Sequence, residues 1–423
     1  GSTSGAVPDS FGTPADDTAA TAVLKTWADA GAFALERADV AAQQPAAPIP
    51  PPPSLAAGRW NRTIDDTWRR TSYTALSARA ESVPESVPES ISEATGEATG
   101  EVATRVEVRS LVDSEPEVMP RTDEAQPFVA AEPDPFRTGV DDVASPMADL
   151  PVGATFGSLV HAILEHADPH APDLRAELLT HVREQLIEWP VDGLDAELLA
   201  DALVQVCDSP LGPLAPGVTL RDIGHRDRLT ELDFELPLSG GDGPRRPGDQ
   251  VRLGDLAPLL HAYLPEGDAV RAWADVLQTS PDLAGQPLRG YLTGSVDVVL
   301  RTGGRYLVVD YKTNWLGPFD APLTAASYRP EQLTQAMGHS SYPLQAVLYA
   351  VVAHRFLRWR LPGYDPEQHL GGVLYLYVRG MCGPDTPVVD GNPCGVFSWR
   401  PPAALVEAIS DLLDGVVDEG VSR

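Results

Sequence analysis

The chain contains very little lysine. Of its 31 Lys and Arg residues, two are lysines, Lys25 and Lys312. Such a bias toward arginine reflects the composition of the genome. Because arginine cannot be deprotonated and cannot act as a compact point charge, a lysine kept against this bias marks a position where its chemistry is needed. Lys312 is the more interesting of the two because of the residues around it.

Cysteine is also scarce, and long apolar runs are missing. The three cysteines, Cys207, Cys382 and Cys394, are widely spaced and form no C-x-x-C pair, which excludes a disulfide framework and a four-cysteine zinc or iron–sulfur site. No charged-then-apolar leader opens the chain and no run of about eighteen apolar residues occurs. We therefore expect a cytoplasmic protein that has no membrane partner.

Basic residues are far fewer than acidic ones, 31 Lys and Arg against 61 Asp and Glu. The formal net charge is −30, with a pI of about 4.5, which argues against a protein that holds nucleic acid by charge alone. The acid is unevenly spread, however, because residues 81–150 contain seventeen Asp and Glu against four Arg. The remainder of the chain is only moderately acidic, so charge does not exclude a nucleic-acid partner there.

Changes in composition predict several segments. Residues 1–44 carry a helical pattern over 18–40 and are interpreted as the tail of a preceding domain, and 45–57 form a proline-rich spacer. Residues 58–77 are aromatic and locally basic, which predicts order. The repeats Ser-Val-Pro-Glu and Glu-Ala-Thr-Gly in 78–150 indicate a disordered acidic linker. One compact domain is expected over 151–423.

Within that domain the periodicity predicts a mixed α/β fold, a small sheet flanked by helices. Helices are expected near 156–167, 172–188, 195–206, 253–263, 268–278, 342–360 and 402–414, and strands near 229–237, 291–300, 305–312 and 371–378.

The two strands at 291–312 carry the clearest chemical signal. They flank Gly303-Gly304, which predicts a two-residue hairpin turn. Counting back from a Thr302–Arg305 pair places Asp297 opposite Asp310. Opposed carboxylates in apolar strands need a proton or a cation between them, and Mg²⁺ is commonly held by one or two carboxylates.

Lys312 follows Asp310 by two residues, so the strand period places both side chains on one face. A metal held there would polarise a phosphodiester and lower the pKa of a bound water, while the lysine would orient that water or neutralise developing charge. The alternative is a hairpin whose aspartates pair with arginines at a strand end.

Two predicted helices carry polar residues one turn apart. His161 and Glu165 share the stripe opposite an apolar face, which is more often simply solvated than metal-binding. Gln345 and Tyr349 can reach one site, although an ordinary amphipathic helix explains them equally well.

Taken together, these motifs resemble the C-terminal nuclease domain of the RecB family, in the PD-(D/E)XK superfamily. The match runs in order through GSLVHAILEH, GSVDVVL, DYKTNWLG, YPLQAVLYAVVAHRFL and GGVLYLYVRG, and WRRTSYTALS resembles the segment ahead of the family's linker. The resemblance implies a restriction-endonuclease-like core after a disordered acidic linker. It also implies that residues 1–44 are the tail of a helicase-type domain.

The resemblance implies roles for several residues. Mg²⁺ would be held by His161, Asp297, Asp310 and the backbone carbonyl of Tyr311, with Asp297, Asp310 and Lys312 catalytic. Beside the site and the DNA would lie four more side chains: Gln345 and Tyr349 of a Q-x-x-x-Y motif, Glu165, and Glu231 of an E-x-x-F motif, for which Glu235 is a weaker candidate.

The family's ATP-driven motor is absent, since no G-x-x-x-x-G-K-S/T loop occurs in the sequence. By resemblance, the nuclease would receive DNA ends, single-stranded or duplex, from a RecB helicase motor working with RecC-like and RecD-like subunits. Arg355, Arg358 and Arg360, at the end of the Gln345 helix, would form a local positive path for DNA, or alternatively a salt-bridged helix end.

Three functions compete. The preferred one is a Mg²⁺-dependent exodeoxyribonuclease of double-strand break repair and recombination. The chief rival is a catalytically silent nuclease fold used for DNA binding or subunit docking, which would lack a metal-site residue. A small-molecule metallohydrolase would need more histidine ligands and leaves the position of Lys312 unexplained. Cleavage polarity, exonuclease or endonuclease preference, hotspot recognition and the number of metal ions have no signal in the sequence.

Overall fold

The structure, a computed structural model, describes residues 14–31, 33–36, 68–72, 76, 143–239, 251–338 and 342–415. The chain divides into two units, Gly1–Thr63 and Ile64–Arg423. The predicted spacer at 45–57 and most of the predicted acidic linker at 78–150 lie outside the described residues, as does most of the segment at 58–77.

The first unit contains one described helix, α1 (Asp17–Asp29), which begins where the Asp16 side chain accepts a hydrogen bond from the Ala19 N–H. The helical pattern predicted for 18–40 is therefore too long. Gly31 has a φ of +84°, and its N–H donates to the Ala28 carbonyl. A left-handed glycine directly after a helix ends it, which leaves Phe33 and Leu35 exposed beyond the helix.

The second unit contains the remaining described elements. Its helices are α2 (Ala154–His166), α3 (Leu174–Gln185), α4 (Ala196–Asp208), α5 (Leu256–Tyr263), α6 (Ala269–Thr279), α7 (Pro281–Ala284), α8 (Pro330–Gly338), α9 (Tyr342–Arg360), α10 (Pro366–His369) and α11 (Ala403–Leu413). Its strands are β1 (Arg69–Thr71), β2 (Arg228–Pro237), β3 (Gly290–Thr302), β4 (Arg305–Lys312), β5 (Leu370–Tyr377), β6 (Val388–Val389), β7 (Asn392–Pro393) and β8 (Val396–Trp399).

Six of the strands form one mixed sheet with the order β1-β3-β4-β5-β8, and β2 pairs antiparallel along β3. β4 runs antiparallel to β3 and parallel to β5. Parallel central strands covered on both faces are nearly continuous apolar runs, and the sequence Leu-Gly-Gly-Val-Leu-Tyr-Leu-Tyr of β5 fits this position. The strands β4 and β5 therefore form the centre of the domain.

Helices cover both faces of the sheet. The apolar sides of α2, α3 and α4 form one core with alternate residues of β4 and β5, among them Leu307, Val309 and Leu374. The other core packs α5, α6, α8, α9 and α11 against the opposite residues of the same strands, such as Val308 and Val373. The predicted α/β fold with a sheet between helices is thus confirmed.

The end of the predicted acidic linker packs into this domain. In residues 143–150 the side chains of Met147 and Leu150 are buried in the core with α2. The Ser145 hydroxyl donates to the Arg379 carbonyl at 2.6 Å. The acidic composition of this stretch gave no indication that Met147 and Leu150 would be buried.

Among the described helices, none is both long and apolar enough to cross a membrane.

Candidate active site

The hairpin formed by β3 and β4 sets the position of the site. Gly303 and Gly304 both have positive φ, +55° and +76°, as a tight two-residue hairpin turn requires. The predicted Thr302–Arg305 pair is confirmed, and the ladder continues to Val298–Val309. There the backbone pairing ends, one residue before Asp297 and Asp310. In place of a ladder bond, the Tyr311 N–H donates to Asp297 Oδ2 at 2.9 Å.

Asp310 and Lys312 form a buried ion pair on β4. Lys312 Nζ lies 2.7 Å from Asp310 Oδ2, and the two side chains are 2% and 3% exposed. The ammonium also lies over the rings of Tyr342 and Tyr375, 4.3 and 5.5 Å from their centroids. A buried charge needs a partner, and here the carboxylate and the aromatic faces both stabilise the cation.

Gln345 and Tyr349 reach this pair from α9. The Gln345 amide donates to Asp310 Oδ1 at 3.0 Å, and the Tyr349 hydroxyl lies 3.1 Å from the same oxygen. The Tyr349 hydroxyl also lies 3.0 Å from the Ser295 carbonyl on β3. These contacts orient the Asp310 carboxylate and join α9 to both strands of the hairpin.

Asp297 and His161 form a second, more open pair. His161 on α2 places Nδ1 3.3 Å from Asp297 Oδ2, and the side chains of His161 and Asp297 are 31% and 23% exposed. Burial alone would raise the pKa of Asp297. The charge of His161 and the hydrogen bonds from His161 and the Tyr311 N–H outweigh this effect and lower the pKa below its usual value.

Two glutamates border the open pair. Glu165, one turn after His161 on α2, is half-buried and lies beside Glu231 of β2. Burial and the charge of Glu231 raise the pKa of Glu165 to about 7. Glu231 has a φ of +50°, an unusual backbone for a non-glycine residue, and stands in β2 between the pairs Thr230–Val298 and Leu232–Val296. The left-handed backbone marks an interruption in this ladder beside Asp297.

Glu235, the weaker candidate for the E-x-x-F glutamate, takes part in a different interaction. Its carboxylate lies 2.5 Å from Arg70 of β1, and both side chains are largely exposed. The contacts therefore favour Glu231 over Glu235 as the β2 residue near Asp297.

The donor atoms around the hairpin suit a hard divalent cation. They comprise the carboxylates of Asp297 and Asp310, the imidazole of His161, and the backbone of Tyr311. In a β-strand the N–H and C=O of one residue point to the same edge, so the Tyr311 carbonyl faces the side on which its N–H meets Asp297. In the part of the chain that the structure describes, no three His, Cys, Asp or Glu side chains surround one point as metal ligands. His161 and Asp297 instead bond to each other, and Asp310 bonds to Lys312.

Arg379, which was not predicted as a site residue, joins the end of β4 to the segment that leads into α2. Its side chain is fully buried, and its guanidinium donates to the Thr313 carbonyl at 2.8 Å and the Met147 carbonyl at 2.9 Å, and also to the Leu150 and Pro151 carbonyls. Thr313 follows Lys312, and residues 147–151 lead into α2 with His161. The one available signal was an arginine directly after the apolar run of β5 in GGVLYLYVRG.

The three arginines at the end of α9 differ in burial, since Arg355 is partly buried whereas Arg358 and Arg360 are exposed. Arg355 donates to the Ser410 hydroxyl and carbonyl and to the Pro237 carbonyl, and pairs with Asp414 at 2.8 Å. Its predicted place in a positive path for DNA is therefore wrong, because its donors anchor α9 to α11 and β2. Arg360 lies over the ring of Trp359, 4.9 Å from the centroid.

Comparisons with known proteins identify relatives of this chain. The RecBCD enzyme subunit RecB of Mycolicibacterium smegmatis is 52% identical over 409 residues, which cover 96% of this chain and 35% of that protein. The subunit of the same name from Mycobacterium tuberculosis H37Rv is 50% identical over 412 residues, 96% of this chain and 34% of that protein. The Escherichia coli K12 subunit is 28% identical over 368 residues, 86% of this chain and 25% of that protein.

The chain thus spans about one third of the length of its mycobacterial relatives. These similarities confirm the resemblance to RecB nuclease domains that the motifs indicated. The sequence pattern of the PD-(D/E)XK nuclease superfamily matches residues 140–392, which contain the hairpin, His161 and the Gln345 helix. The chain belongs to the PD-(D/E)XK nuclease superfamily.

Proposed function

We propose that this chain is a Mg²⁺-dependent nuclease that hydrolyses phosphodiester bonds in DNA. The observation that carries the proposal is the buried Lys312–Asp310 pair at 2.7 Å, which adjoins the half-open His161–Asp297 pair through Tyr311. A buried ammonium next to one buried carboxylate, Asp310, and near a partly exposed one, Asp297, suits a reaction in which negative charge develops on a phosphate.

His161, Asp297, Asp310 and the carbonyl of Tyr311 would hold Mg²⁺. When bound, the ion supplies Lewis acidity and lowers the pKa of a bound water. Lys312 neutralises charge that develops on the phosphate or orients the attacking water. Gln345 and Tyr349 hold the Asp310 carboxylate in one orientation through its Oδ1 atom. Glu165 and Glu231 border the open side, where substrate would enter.

The names of the relatives support a wider role. RecB is named there as a subunit of the RecBCD enzyme. We extend this to an exodeoxyribonuclease that acts on single-stranded and duplex DNA ends in the cytoplasm during double-strand break repair and recombination. Its partners would be a RecB helicase motor and RecC-like and RecD-like subunits, since the Lys312 site offers cleavage and no means of unwinding.

The test compares cleavage of end-labelled single-stranded and duplex DNA by the parent chain and by Asp310→Asn and Lys312→Met. The matched control is Asp227→Asn, which removes an exposed ion pair with Arg301. Circular dichroism at the assay temperature first establishes that every variant is folded. We expect cleavage to need Mg²⁺, to stop in EDTA, and to fall by about 100-fold or more in both site variants but not in the control.

Equal cleavage by the parent and the site variants would overturn the catalytic assignment. A folded parent chain that binds DNA but does not cleave it with Mg²⁺ would favour the rival function, a silent nuclease fold for DNA binding or subunit docking. Cleavage that persists in EDTA would exclude the metal-dependent mechanism.

A further inference from the structure

Phe319 is an exposed aromatic residue close in sequence to the candidate site. Its side chain is 75% exposed, and its ring lies parallel to that of Trp315, with an interplanar angle of 7° and centroids 5.7 Å apart. The residues on either side, Pro318 and Asp320, are also exposed. The pair, called here the Trp315–Phe319 stack, presents one flat apolar ring to solvent.

The stack is fixed to the end of β4 by a chain of contacts. Arg379 donates to the Thr313 carbonyl at 2.8 Å, and its guanidinium lies 5.5 Å from the centroid of the Trp315 ring. The Tyr328 hydroxyl donates to the Asn314 carbonyl at 2.9 Å and accepts from the Leu316 N–H at 3.4 Å. Residues 313–316 are thus tied down directly after Lys312.

The base of the loop is equally constrained. A Cβ at Gly317 would lie 2.6 Å from Leu323 Cδ1 and 2.9 Å from Ser327 Oγ, so glycine permits a close approach to the next segment. Asn314 is also held through its side chain, which accepts from the Tyr342 hydroxyl at 3.3 Å. Tyr342 is the residue whose ring lies 4.3 Å from Lys312 Nζ.

These constraints keep the stack near the site. Trp315 is three residues beyond Lys312 and Phe319 is seven, so their Cα atoms lie at most about 11 and 25 Å from that of Lys312. A strand whose phosphate lies at the candidate site would have bases a few nucleotides away within reach of the stack. An aromatic face is the usual platform for such a base, because every base has a π-face.

We propose that the Trp315–Phe319 stack binds a nucleobase of single-stranded DNA next to the cleavage site, with the base stacked on the outer face of Phe319. The proposal rests on the proposed nuclease function and adds a binding site to it. Within residues 313–323, Phe319 carries the exposed aromatic ring, and a single ring matches one stacked base. Recognition would be independent of base identity, because stacking reads no hydrogen-bonding edge.

The experiment isolates stacking from charge. Fluorescein-labelled dT12 is compared with a strand of twelve abasic residues that carries the same phosphates, and the Kd of each is measured by fluorescence anisotropy in EDTA. The parent chain should bind dT12 more tightly than the abasic strand. In Phe319→Ala the ratio of the two Kd values should fall by about tenfold, the effect of losing one stacked base. Phe319→Tyr should retain the ratio, and Phe319→Leu should lose it.

Each outcome decides a different statement. A ratio unchanged in Phe319→Ala, or retained in Phe319→Leu, would overturn the stacking site while leaving the nuclease function intact, since cleavage is measured separately with Mg²⁺. A parent chain that neither binds dT12 nor cleaves DNA would overturn the nuclease function and the stacking site together. Because Phe319 is exposed, its replacement should leave the unfolding temperature unchanged, which is the control for folding.

Discussion

The Asp310 side of the candidate site is closed to solvent, whereas the Asp297 side is open to it. Asp310 and Lys312 are 3% and 2% exposed in their side chains, and His161 and Asp297 are 31% and 23% exposed. The closed side is bound by α9 through Gln345 and Tyr349, while the open side is bordered by Glu165 and Glu231. The closed side therefore fixes the positions of Asp310 and Lys312, and the open side is where substrate and a cation can enter.

The largest expected effect separates the two sides by stability. Lys312→Met should lower the free energy of unfolding by about 3–5 kcal/mol, because it leaves the Asp310 carboxylate buried without its cation. Asp297→Asn should cost at most about 1 kcal/mol, because the site is partly exposed and an amide oxygen can still accept from the Tyr311 N–H. Urea denaturation followed by circular dichroism measures both.

The chain offers a matched control in its other lysine, Lys25, which is exposed on α1. Lys25→Met should leave the unfolding of the second unit unchanged. If Lys312→Met and Asp297→Asn destabilise the protein equally, the distinction between a closed and an open side is lost.

The next effect tests the link between the two sides. Arg379→Met should lower the free energy of unfolding by about 2–4 kcal/mol, because it removes charge-assisted hydrogen bonds and leaves buried carbonyls without a donor. Arg379→Lys should recover only part of the lost stability. It restores a positive charge, but an ammonium lacks the planar fork that reaches Thr313 and Met147 together. Cleavage should fall in both variants, because the end of β4 with Lys312 and the segment before α2 are then no longer fixed relative to each other.

Urea denaturation provides the stability measurement, and Arg301→Met is the control. Arg301 forms an exposed ion pair with Asp227, and exposed ion pairs contribute little to stability. An Arg379→Met chain as stable as the parent would show that Arg379 does not hold the two sides together.

The smallest expected effect concerns pH on the open side. The pKa of Glu165 is about 7 in the folded protein, raised mainly by burial and by Glu231, against 4.5 for an unperturbed glutamate. The folded state then binds the proton more tightly, so the contribution of this proton to stability is present at low pH and is lost as the pH rises from about 4.5 through 7.

Glu165→Gln should therefore gain stability relative to the parent between pH 5 and pH 8, on the order of 1–3 kcal/mol. Thermal unfolding at both pH values in EDTA measures the difference without a bound divalent ion. A difference that does not change with pH, or one that shrinks as the pH rises, would contradict the assigned pKa shift.

Much of the fold was predictable from the sequence. The helix expected at 342–360 is α9, and the strand expected at 305–312 is β4, with the same bounds. Both elements are long, mostly apolar runs, so their length and the turn residues beside them identify them without an alternation of polar and apolar positions. The strands β1 and β8 were not predicted, because segments of three and four residues carry no usable period.

The site was predictable only in part. The Gly-Gly turn determined the register that brings Asp297 and Asp310 to the same end of the hairpin, and the strand period placed Lys312 beside Asp310. Spacing along α2 and α9 left the roles of His161, Glu165, Gln345 and Tyr349 open, since a polar residue on a helix can equally face solvent. Their contacts depend on how the helices pack on the sheet.

The sequence by itself determined the local chemistry: one lysine kept two residues after an aspartate, in a hairpin whose turn fixes its pairing. The tertiary structure alone decided which side of the site is buried. It also decided that the Arg355 side chain bonds to the end of α11 and that Arg379 joins Thr313 to the segment before α2. Local patterns follow from backbone periods within one element. Burial and long-range hydrogen bonds depend on the packing of the whole domain. The hydrogen bond from Arg379 to Met147, for example, joins residues more than two hundred positions apart.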